Sequence, residues 1–285
     1  MKPVLFICLV LVALPQSSLS ADWADGTASV GYFENDEIAE AFFFGDFTLR
    51  LERNAWGAEL GMFGVVGRLH ETYAAATYST PAGKLSFGFP RPSYDDFATS
   101  ALTDIMPRLS LDSIGSVRSR TTFGTMYLSE FLPYGARYAS QTGMFDYVTS
   151  LHAVPDYQDV VAGGAMRLSP GLWTIDLAAE AVVQGAKTQW NTKAQVVGDF
   201  GQATLGLGLF DASANDQAAL LEAFGRFDVS DTTEVTGLVR SSVQRSPKFG
   251  LGLSQRVTSQ WTLQAGVFGS DPNDLATSAS LQIQF

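Results

Sequence analysis

The amino-acid sequence predicts an all-β protein whose strands pair in one antiparallel sheet. Apolar and polar residues alternate with a period of two in many segments, such as residues 47–52, where Phe47, Leu49 and Leu51 share one face. Clusters of turn-forming residues separate these segments at short intervals. Beyond residue 20 the chain has no run of about 18 apolar residues, so membrane-spanning helices are not predicted.

Composition excludes several classes of function. The 285-residue chain is 46% hydrophobic and 16% charged, which is too apolar for a disordered protein. A net charge of -11 leaves no basic surface for nucleic acid, so no nucleic-acid partner is expected. The chain has two histidines, His70 and His152, and carries neither a nucleophile motif nor a metal-ligand motif. We therefore predict no catalytic residue, no metal site and no cofactor.

The amino-terminal segment has the layout of a secretory signal. Lys2 precedes a 13-residue apolar stretch, residues 3–15, and then a run of small polar residues. The apolar stretch is shorter than the roughly 20 residues that a membrane-spanning helix needs. We predict a cleaved signal peptide at residues 1–20 and a single β-barrel domain at residues 21–285. Cys8 is the one cysteine and lies in the signal, so the mature domain is expected to have no thiol.

Further alternating segments follow along the chain. Their apolar sides are Trp56, Ala58, Leu60 and Met62; Leu85, Phe87 and Phe89; Trp173, Ile175 and Leu177; Ala203, Leu205, Leu207 and Leu209; Val235, Val239 and Val243; and Trp261, Leu263, Ala265 and Val267. In a soluble β-sandwich such a face packs on a second sheet, whereas in a membrane barrel it faces lipid. Alternation alone is compatible with both the soluble sandwich and the membrane barrel.

Turn spacing favours the barrel. Short turns are predicted at residues 53–55, 80–83, 141–143, 169–171, 199–201, 230–232 and 257–259. Longer polar or acidic links lie between them, at residues 34–40, 153–159, 211–216 and 270–274. Such alternation of tight turns and longer loops is typical of outer-membrane barrels.

One link is much longer than the rest. In residues 90–134 the alternation fades and charged residues accumulate. A stretch of this length is uncommon unless it is functional or folded inward. The remaining mature chain accommodates about 16 strands, and residues 65–78 and 121–130 are counted among the alternating segments. Pairing the first strand, near residues 27–33, with the last would close the barrel.

The final segment alternates up to its last residue. Ala279, Leu281, Ile283 and Phe285 share one face, and Phe285 ends the chain. A terminal aromatic residue of this kind is also how bacterial outer-membrane barrels end, so Phe285 is predicted to be an assembly signal. The expected location is the bacterial outer membrane, with its lipid bilayer as a partner.

Two parts of the sequence resemble the general bacterial porin family of Gram-negative outer membranes. Residues 83–89, followed by residues 91–97, resemble the strand that leads into the third external loop of those porins. Residues 135–140, followed by a turn and residues 145–147, resemble the strand that re-enters the wall. The resemblance implies a transmembrane antiparallel β-barrel of about 16 strands, in which residues 90–134 fold into the pore and constrict it.

The function implied by this resemblance is passive diffusion of ions and small hydrophilic solutes through a water-filled channel, usually in a homotrimer. The constriction is predicted to combine acidic residues of the long loop with basic residues on polar strand faces: Asp95, Asp96, Asp104, Arg50, Arg137, Arg167, Arg226 and Arg240. Opposed acidic and basic walls would set up a transverse field. The excess of acidic residues suggests cation preference.

Other residues carry weaker expectations. Trp56, Trp173, Trp190 and Trp261 are predicted to lie at the lipid interfaces. Acidic pairs in the longer links are possible calcium ligands: Asp156 with Asp159, Asp211 with Asp216, and Asp271 with Asp274. Two other functions remain open at this stage. One is an outer-membrane lipid or ester hydrolase with His70 or His152 as base, and the other is a soluble periplasmic all-β binding protein.

Overall fold

The chain folds into a closed antiparallel barrel of 16 strands, as predicted. The computed structural model describes residues 24–65, 70–106, 114–128, 133–154, 158–243, 245–271 and 274–285. The predicted signal peptide, residues 1–20, lies outside the described residues. Each strand pairs with its neighbours in sequence, and β1 closes the barrel on β16, with Ala28 opposite Ile283. Closure leaves no sheet edge.

The strands are β1 Ala24–Glu34, β2 Ala39–Arg53, β3 Trp56–Val65, β4 His70–Thr80, β5 Gly83–Phe89, β6 Tyr134–Thr142, β7 Phe145–Val154, β8 Asp159–Leu168, β9 Trp173–Gln184, β10 Lys187–Asp199, β11 Ala203–Asp211, β12 Leu220–Ser230, β13 Thr233–Ser242, β14 Arg245–Arg256, β15 Trp261–Gly269 and β16 Ala276–Gln284. β5 is short, with seven residues.

The seven predicted short turns lie at one end of the barrel, which we call the short-turn end. Several need a residue in the left-handed region: Asn54 has φ 60°, Gly171 has φ 66° and Gly201 has φ 85°. The longer links predicted from the sequence lie at the opposite end, the long-loop end. Because the strand number is even, both ends of the barrel sequence, Ala24 and Phe285, lie at the short-turn end.

The barrel wall has apolar residues on its outer face and polar residues on its inner face, the reverse of a soluble protein. On β11, Leu205, Leu207 and Leu209 point outward and are 47, 54 and 52% exposed. Inward-facing carboxylates such as Glu180 and Glu222 are 1 and 0% exposed. The phases predicted for the segments that form strands agree with this assignment. A soluble sandwich hides its apolar face, so this outer band is the arrangement expected of a barrel surrounded by lipid.

The long segment between β5 and β6 folds inside the barrel. Its described part contains a 3-10 turn at Ser93–Asp95 and two helices, α1 Leu102–Ile105 and α2 Arg120–Leu128. Residues 107–113 and 129–132 of the predicted 90–134 loop lie outside the described residues. Within the described ranges, no helix has the length and apolarity needed to cross a bilayer.

Helix α2 corrects one expectation from the sequence. Residues 121–130 were among the alternating segments predicted as strands, but residues 121–128 are helical. Thr121, Thr122 and Met126 are buried inside the barrel, and the Thr125 hydroxyl donates to the Thr121 carbonyl 2.8 Å away. This segment has no neighbouring strand to pair with, so its backbone groups are satisfied within a helix. Residues 65–78, also counted among the alternating segments, contain the end of β3 and most of β4.

An apolar cluster holds the long segment against one side of the wall. Leu102, Ile105 and Met106 of the segment pack with inward-facing aromatic and aliphatic residues of the wall: Phe33, Phe42, Phe44, Phe63, Phe224, Leu238 and Phe268. Ile105 lies over Gly250, Gly252 and Gly266, where any side chain would collide with it. The three glycines form a flat seat on β14 and β15 for the tip of the segment.

Candidate functional site

Two connected cavities run along the inner wall on the side that the long segment leaves open. The one nearer the short-turn end has a volume of about 380 Å³, and the one near the middle of the barrel about 250 Å³. They share Thr27, Asp46, Asp95 and Thr99 in their linings. We call the two cavities together the passage.

The passage has two chemically different sides. Its wall side includes Thr27 and Ser29 of β1, Gln264 of β15 and Gln282 of β16. Its other side is formed by the long segment, which contributes Asp95, Thr99, Ser100, Thr103, Asp104 and Arg118. Six carboxylates and five basic groups line the passage in all: Asp25, Asp46, Glu59, Asp95, Asp96, Asp104, Arg50, Arg91, Arg118, Arg137 and Lys193.

All three predicted loop acids line the passage, but each is engaged by the protein. Asp95 is 1% exposed and accepts hydrogen bonds from the Ser119 backbone N–H at 2.7 Å and the Thr122 hydroxyl. Its carboxylate therefore joins the two halves of the long segment as well as facing the passage.

Asp96 and Asp104 form ion pairs with the wall. Arg137 Nη1 donates to Asp96 Oδ1 at 3.0 Å, and Arg226 Nη2 donates to Asp104 Oδ2 at 2.6 Å. Burial raises the pKa of Asp104 above its ordinary value, and the Arg226 guanidinium offsets only part of this rise. Burial likewise raises the pKa of Asp96 against the opposing effect of Arg137. Both carboxylates are therefore expected to lose their charge at a higher pH than an ordinary aspartate.

The predicted arginines all lie on the inward face of the wall but divide into two groups. Arg50 and Arg137 line the passage, where Arg50 Nη2 lies 3.3 Å from Asp25 Oδ2. The other three do not line it and are held by carboxylates. Arg167 binds Asp176 through two hydrogen bonds of 2.7 and 2.8 Å.

Arg226 and Arg240 belong to the second group. Arg226 binds Asp104, and Arg240 donates to Glu222 Oε2 and to the Ser100 hydroxyl. The sequence suggested acidic and basic walls facing each other across water. In the structure Asp96 and Asp104 are instead in direct contact with arginines, which weakens the field that these charges set up in the passage.

Some residues of the passage were missed by sequence reasoning. Asp46 of β2 accepts from Arg91 Nη1 at 2.9 Å and from Arg118 Nη2 at 3.3 Å, both in the long segment. The Arg118 guanidinium also lies 3.8 Å from the centre of the Phe63 ring. A usable signal for Asp46 was present, since it occupies the inward phase of an alternating strand. Its partners depend on how the long segment folds and carried no such signal.

The predicted interfacial tryptophans occupy the outer wall. Trp56 and Trp173, at the short-turn end, are 65 and 47% exposed, and Trp190, towards the long-loop end, is 56% exposed. Trp56 packs on Tyr78 with ring centres 4.7 Å apart, and Trp173 contacts Phe200 edge to face with ring centres 5.7 Å apart. Trp261 is half-buried beside the terminal Phe285. Trp56, Trp173 and Trp261 therefore lie at the short-turn end of the outer apolar face, and Trp190 lies towards its long-loop end.

The acidic pairs and the histidines were the candidates for a metal or catalytic centre. Among the described residues, no group of three or more His, Cys, Asp or Glu side chains is arranged to hold a metal ion, and Asp156 lies outside those residues. Asp274 pairs with Lys248 at 2.8 Å. His152 is buried with Nε2 3.0 Å from the Pro90 carbonyl oxygen, whereas His70 is exposed at the start of β4.

Comparison with known proteins finds a likeness of fold. No protein-family model and no curated protein sequence matches the chain. Solved structures of mutants of the Rhodopseudomonas blastica porin are similar to it, two of them triple mutants and one a double mutant. They superpose with TM-scores of 0.69 to 0.70 at 14% identity, covering 92% of this chain and 99% of theirs. At this identity the likeness is one of fold.

Proposed function

We propose that this protein is an outer-membrane porin, a water-filled channel for passive diffusion of ions and small hydrophilic solutes. The observation that carries the proposal is the inverted wall, apolar outside and polar inside, around a passage lined by charged and hydroxyl groups. The apolar outer face of the wall packs against lipid. The polar groups that line the lumen hold water and replace part of a solute's hydration shell. The long segment sets the size limit because its residues form one side of the passage.

The test is recording from purified protein in planar lipid bilayers. Stepwise conductance increases of uniform size are expected on insertion. A silent protein that hydrolyses lipid or ester substrates would instead favour the hydrolase. A soluble binding protein would show neither activity, and it would also lack the slower migration on detergent gels that heating produces in a barrel.

The location and assembly state form part of the same proposal. We expect export with removal of residues 1–20, insertion into the bacterial outer membrane guided by Phe285, and assembly as a homotrimer. Phe285 packs at 5.9 Å between ring centres on Phe47, and its N–H donates to the Gly26 carbonyl at 3.0 Å. Amino-terminal sequencing of membrane-extracted protein tests the cleavage, and chemical cross-linking in detergent tests the trimer.

The lining charges predict weak cation preference. Carboxylates exceed basic groups by one along the passage. Replacing Asp95, Asp96 and Asp104 together with asparagine would leave three carboxylates against five basic groups. The reversal potential in a salt gradient is then expected to change sign to anion preference, and acidification should shift the wild-type protein in the same direction, because the pKa values of Asp96 and Asp104 are raised.

The matched control replaces Asp211, the last residue of β11, and Asp216 and Asp274, which lie in the longer links, with asparagine. It changes the net charge by the same amount but leaves the passage lining intact. Equal shifts in the two triple variants would attribute ion preference to total charge and remove the three loop acids from the filter.

A further inference from the structure

One side of the smaller cavity, the part of the passage with a volume of about 250 Å³, is free of charge. Three neighbouring strands, β16, β1 and β15, form this side, and their inward residues between 27 and 33, 262 and 268, and 276 and 284 include no acidic or basic side chain. Ser29 and Gln282 lie opposite each other in the pairing of β1 with β16. In the pairing of β15 with β16, Gln264 lies opposite Ser280, the next inward residue before Gln282. Together with Thr27 these residues form what we call the neutral strip: Thr27, Ser29, Gln264 and Gln282.

The neutral strip has hydrogen-bonding capacity that the protein leaves unused. Ser29 is 3% exposed, and its hydroxyl has no hydrogen-bond partner in the described part of the chain. The same holds for Gln264 Oε1 and, deeper in the wall, for the Ser280 hydroxyl. Buried polar atoms are normally satisfied, so groups of this kind at a cavity surface are matched to a guest that brings its own donors and acceptors.

Two carboxylates that line the same cavity are paired with arginines. Asp46 contacts Arg91 and Arg118, and Asp104 contacts Arg226 outside the passage lining. Between these ion pairs the long segment presents Thr99, Ser100 and Thr103 to the passage. A solute at the level of Ser29 therefore meets hydroxyls and carboxamides on the wall and a nearly balanced set of charges opposite.

The position of the passage is fixed by the glycine seat. Ile105 packs on Gly250, Gly252 and Gly266, so α1 lies against β14 and the near side of β15. Part of the lumen that remains open lies in front of β1 and β16, beside the neutral strip. The smaller of the two cavities therefore borders the uncharged wall.

We propose that the neutral strip selects uncharged polyhydroxylated solutes, of the sugar or polyol class, a specificity that rests on the proposed channel function. Hydroxyl and carboxamide groups both donate and accept, so they can replace successive waters on such a solute as it moves along the wall. An ion gains little from the strip, because no lining charge there stands in for its hydration shell. The strip lowers the barrier for hydroxyl-bearing solutes and leaves small ions to pass as hydrated species.

The test compares solute and ion flux in one variant. Ser29→Ala, Gln264→Leu and Gln282→Leu, combined, remove the hydrogen-bonding groups with little change in width. Loss of two to three solute hydrogen bonds is expected to slow the swelling of protein-containing liposomes in D-arabinose about tenfold. Single-channel conductance in potassium chloride is expected to remain within about twofold of wild type, because hydrated ions do not depend on these groups.

Two controls make the result decisive. Thr204→Val with Ser254→Ala removes inward polar groups of β11 and β14 that line neither cavity, and swelling should be unchanged. Gln264→Asn with Gln282→Asn retains the carboxamides and should keep most of the arabinose flux. If the triple variant fails to give a heat-modifiable barrel, Gln264→Leu alone, on a half-buried residue, provides the comparison with a smaller expected loss.

The outcomes separate this proposal from the channel function. A wild-type protein that gives neither conductance nor swelling overturns the proposed function. Conductance with unchanged arabinose swelling in the variant overturns the role of the neutral strip alone. An equal fall in both fluxes also overturns it, because that result indicates narrowing of the passage.

Discussion

Replacing Glu222 with leucine will increase single-channel conductance and lower the thermal stability of the barrel. The Glu222 carboxylate is fully buried and accepts from the Ser100 hydroxyl and the Ala101 N–H, both at 2.7 Å, and from Arg240 Nη2 at 3.0 Å. It therefore anchors the start of α1 to the wall. Leucine removes these bonds and leaves the Arg240 charge buried without its partner, a change that costs about 3 to 5 kcal/mol.

The increase in conductance follows because the long segment fills the lumen beside the passage. Once its anchor on β12 and β13 is lost, the segment can move from the wall and widen the open side. Conductance is measured in planar bilayers, and stability as the temperature at which the folded band disappears on detergent gels. Asp228→Leu, on the inward face of the same strand at the short-turn end, is the matched control and should leave conductance near wild type.

A Glu222→Leu barrel with unchanged conductance would contradict the anchoring role. Glu222→Gln retains one acceptor and the side-chain shape, so its conductance should lie between those of the leucine variant and the wild type. An ordering in which glutamine has the larger effect would indicate that charge, and not anchoring, governs the change.

Replacing Thr27 with tryptophan will have the opposite effect. Thr27 lies on the inward face of β1 and lines both cavities, which have volumes of about 250 and 380 Å³. An indole at this position projects into the open part of the lumen and is expected to reduce conductance by about half or more, since pore width controls the passage of hydrated ions. Swelling in arabinose should fall at least as much.

The control for this substitution is Thr204→Trp. Thr204 lies on the inward face of β11, pairs with Arg226 of β12, and lines neither cavity. Its conductance should stay close to wild type. An equal fall in conductance in both tryptophan variants would show that ions also pass through parts of the lumen outside the passage, which would contradict the role given to Thr27.

Alternation predicted the wall of the barrel because it reports a local property. A strand with one apolar face has a fixed phase, and this phase placed Arg50, Arg137 and Arg240 on the inward face without any knowledge of their partners. Turn residues predicted the strand ends equally well. Asn54 and Gly171 adopt the left-handed backbone that a tight turn needs. This need involves only two or three neighbouring residues, so it can be recognised in the sequence.

The interior could not be predicted in the same way. Asp104 binds Arg226, 122 residues away in sequence, and this choice depends on where the tip of the long segment comes to rest. The resting place is set by Ile105 on Gly250, Gly252 and Gly266. All three glycines occupy inward positions of β14 and β15, and this shared inward phase was the available sign of a docking seat.

The most direct test of the account is cysteine accessibility, since Cys8 lies in the predicted signal and the rest of the sequence has no cysteine. Single cysteines are placed at Thr27 and Gln282, which face the passage, and at Val30 and Leu281, which face outward. A charged, water-soluble methanethiosulfonate reagent is added to protein reconstituted in lipid. Modification and a fall in conductance are expected at Thr27→Cys and Gln282→Cys, with Val30→Cys and Leu281→Cys protected. The reverse pattern, or equal reaction at adjacent residues 281 and 282, would contradict a polar lumen enclosed by a lipid-facing apolar wall.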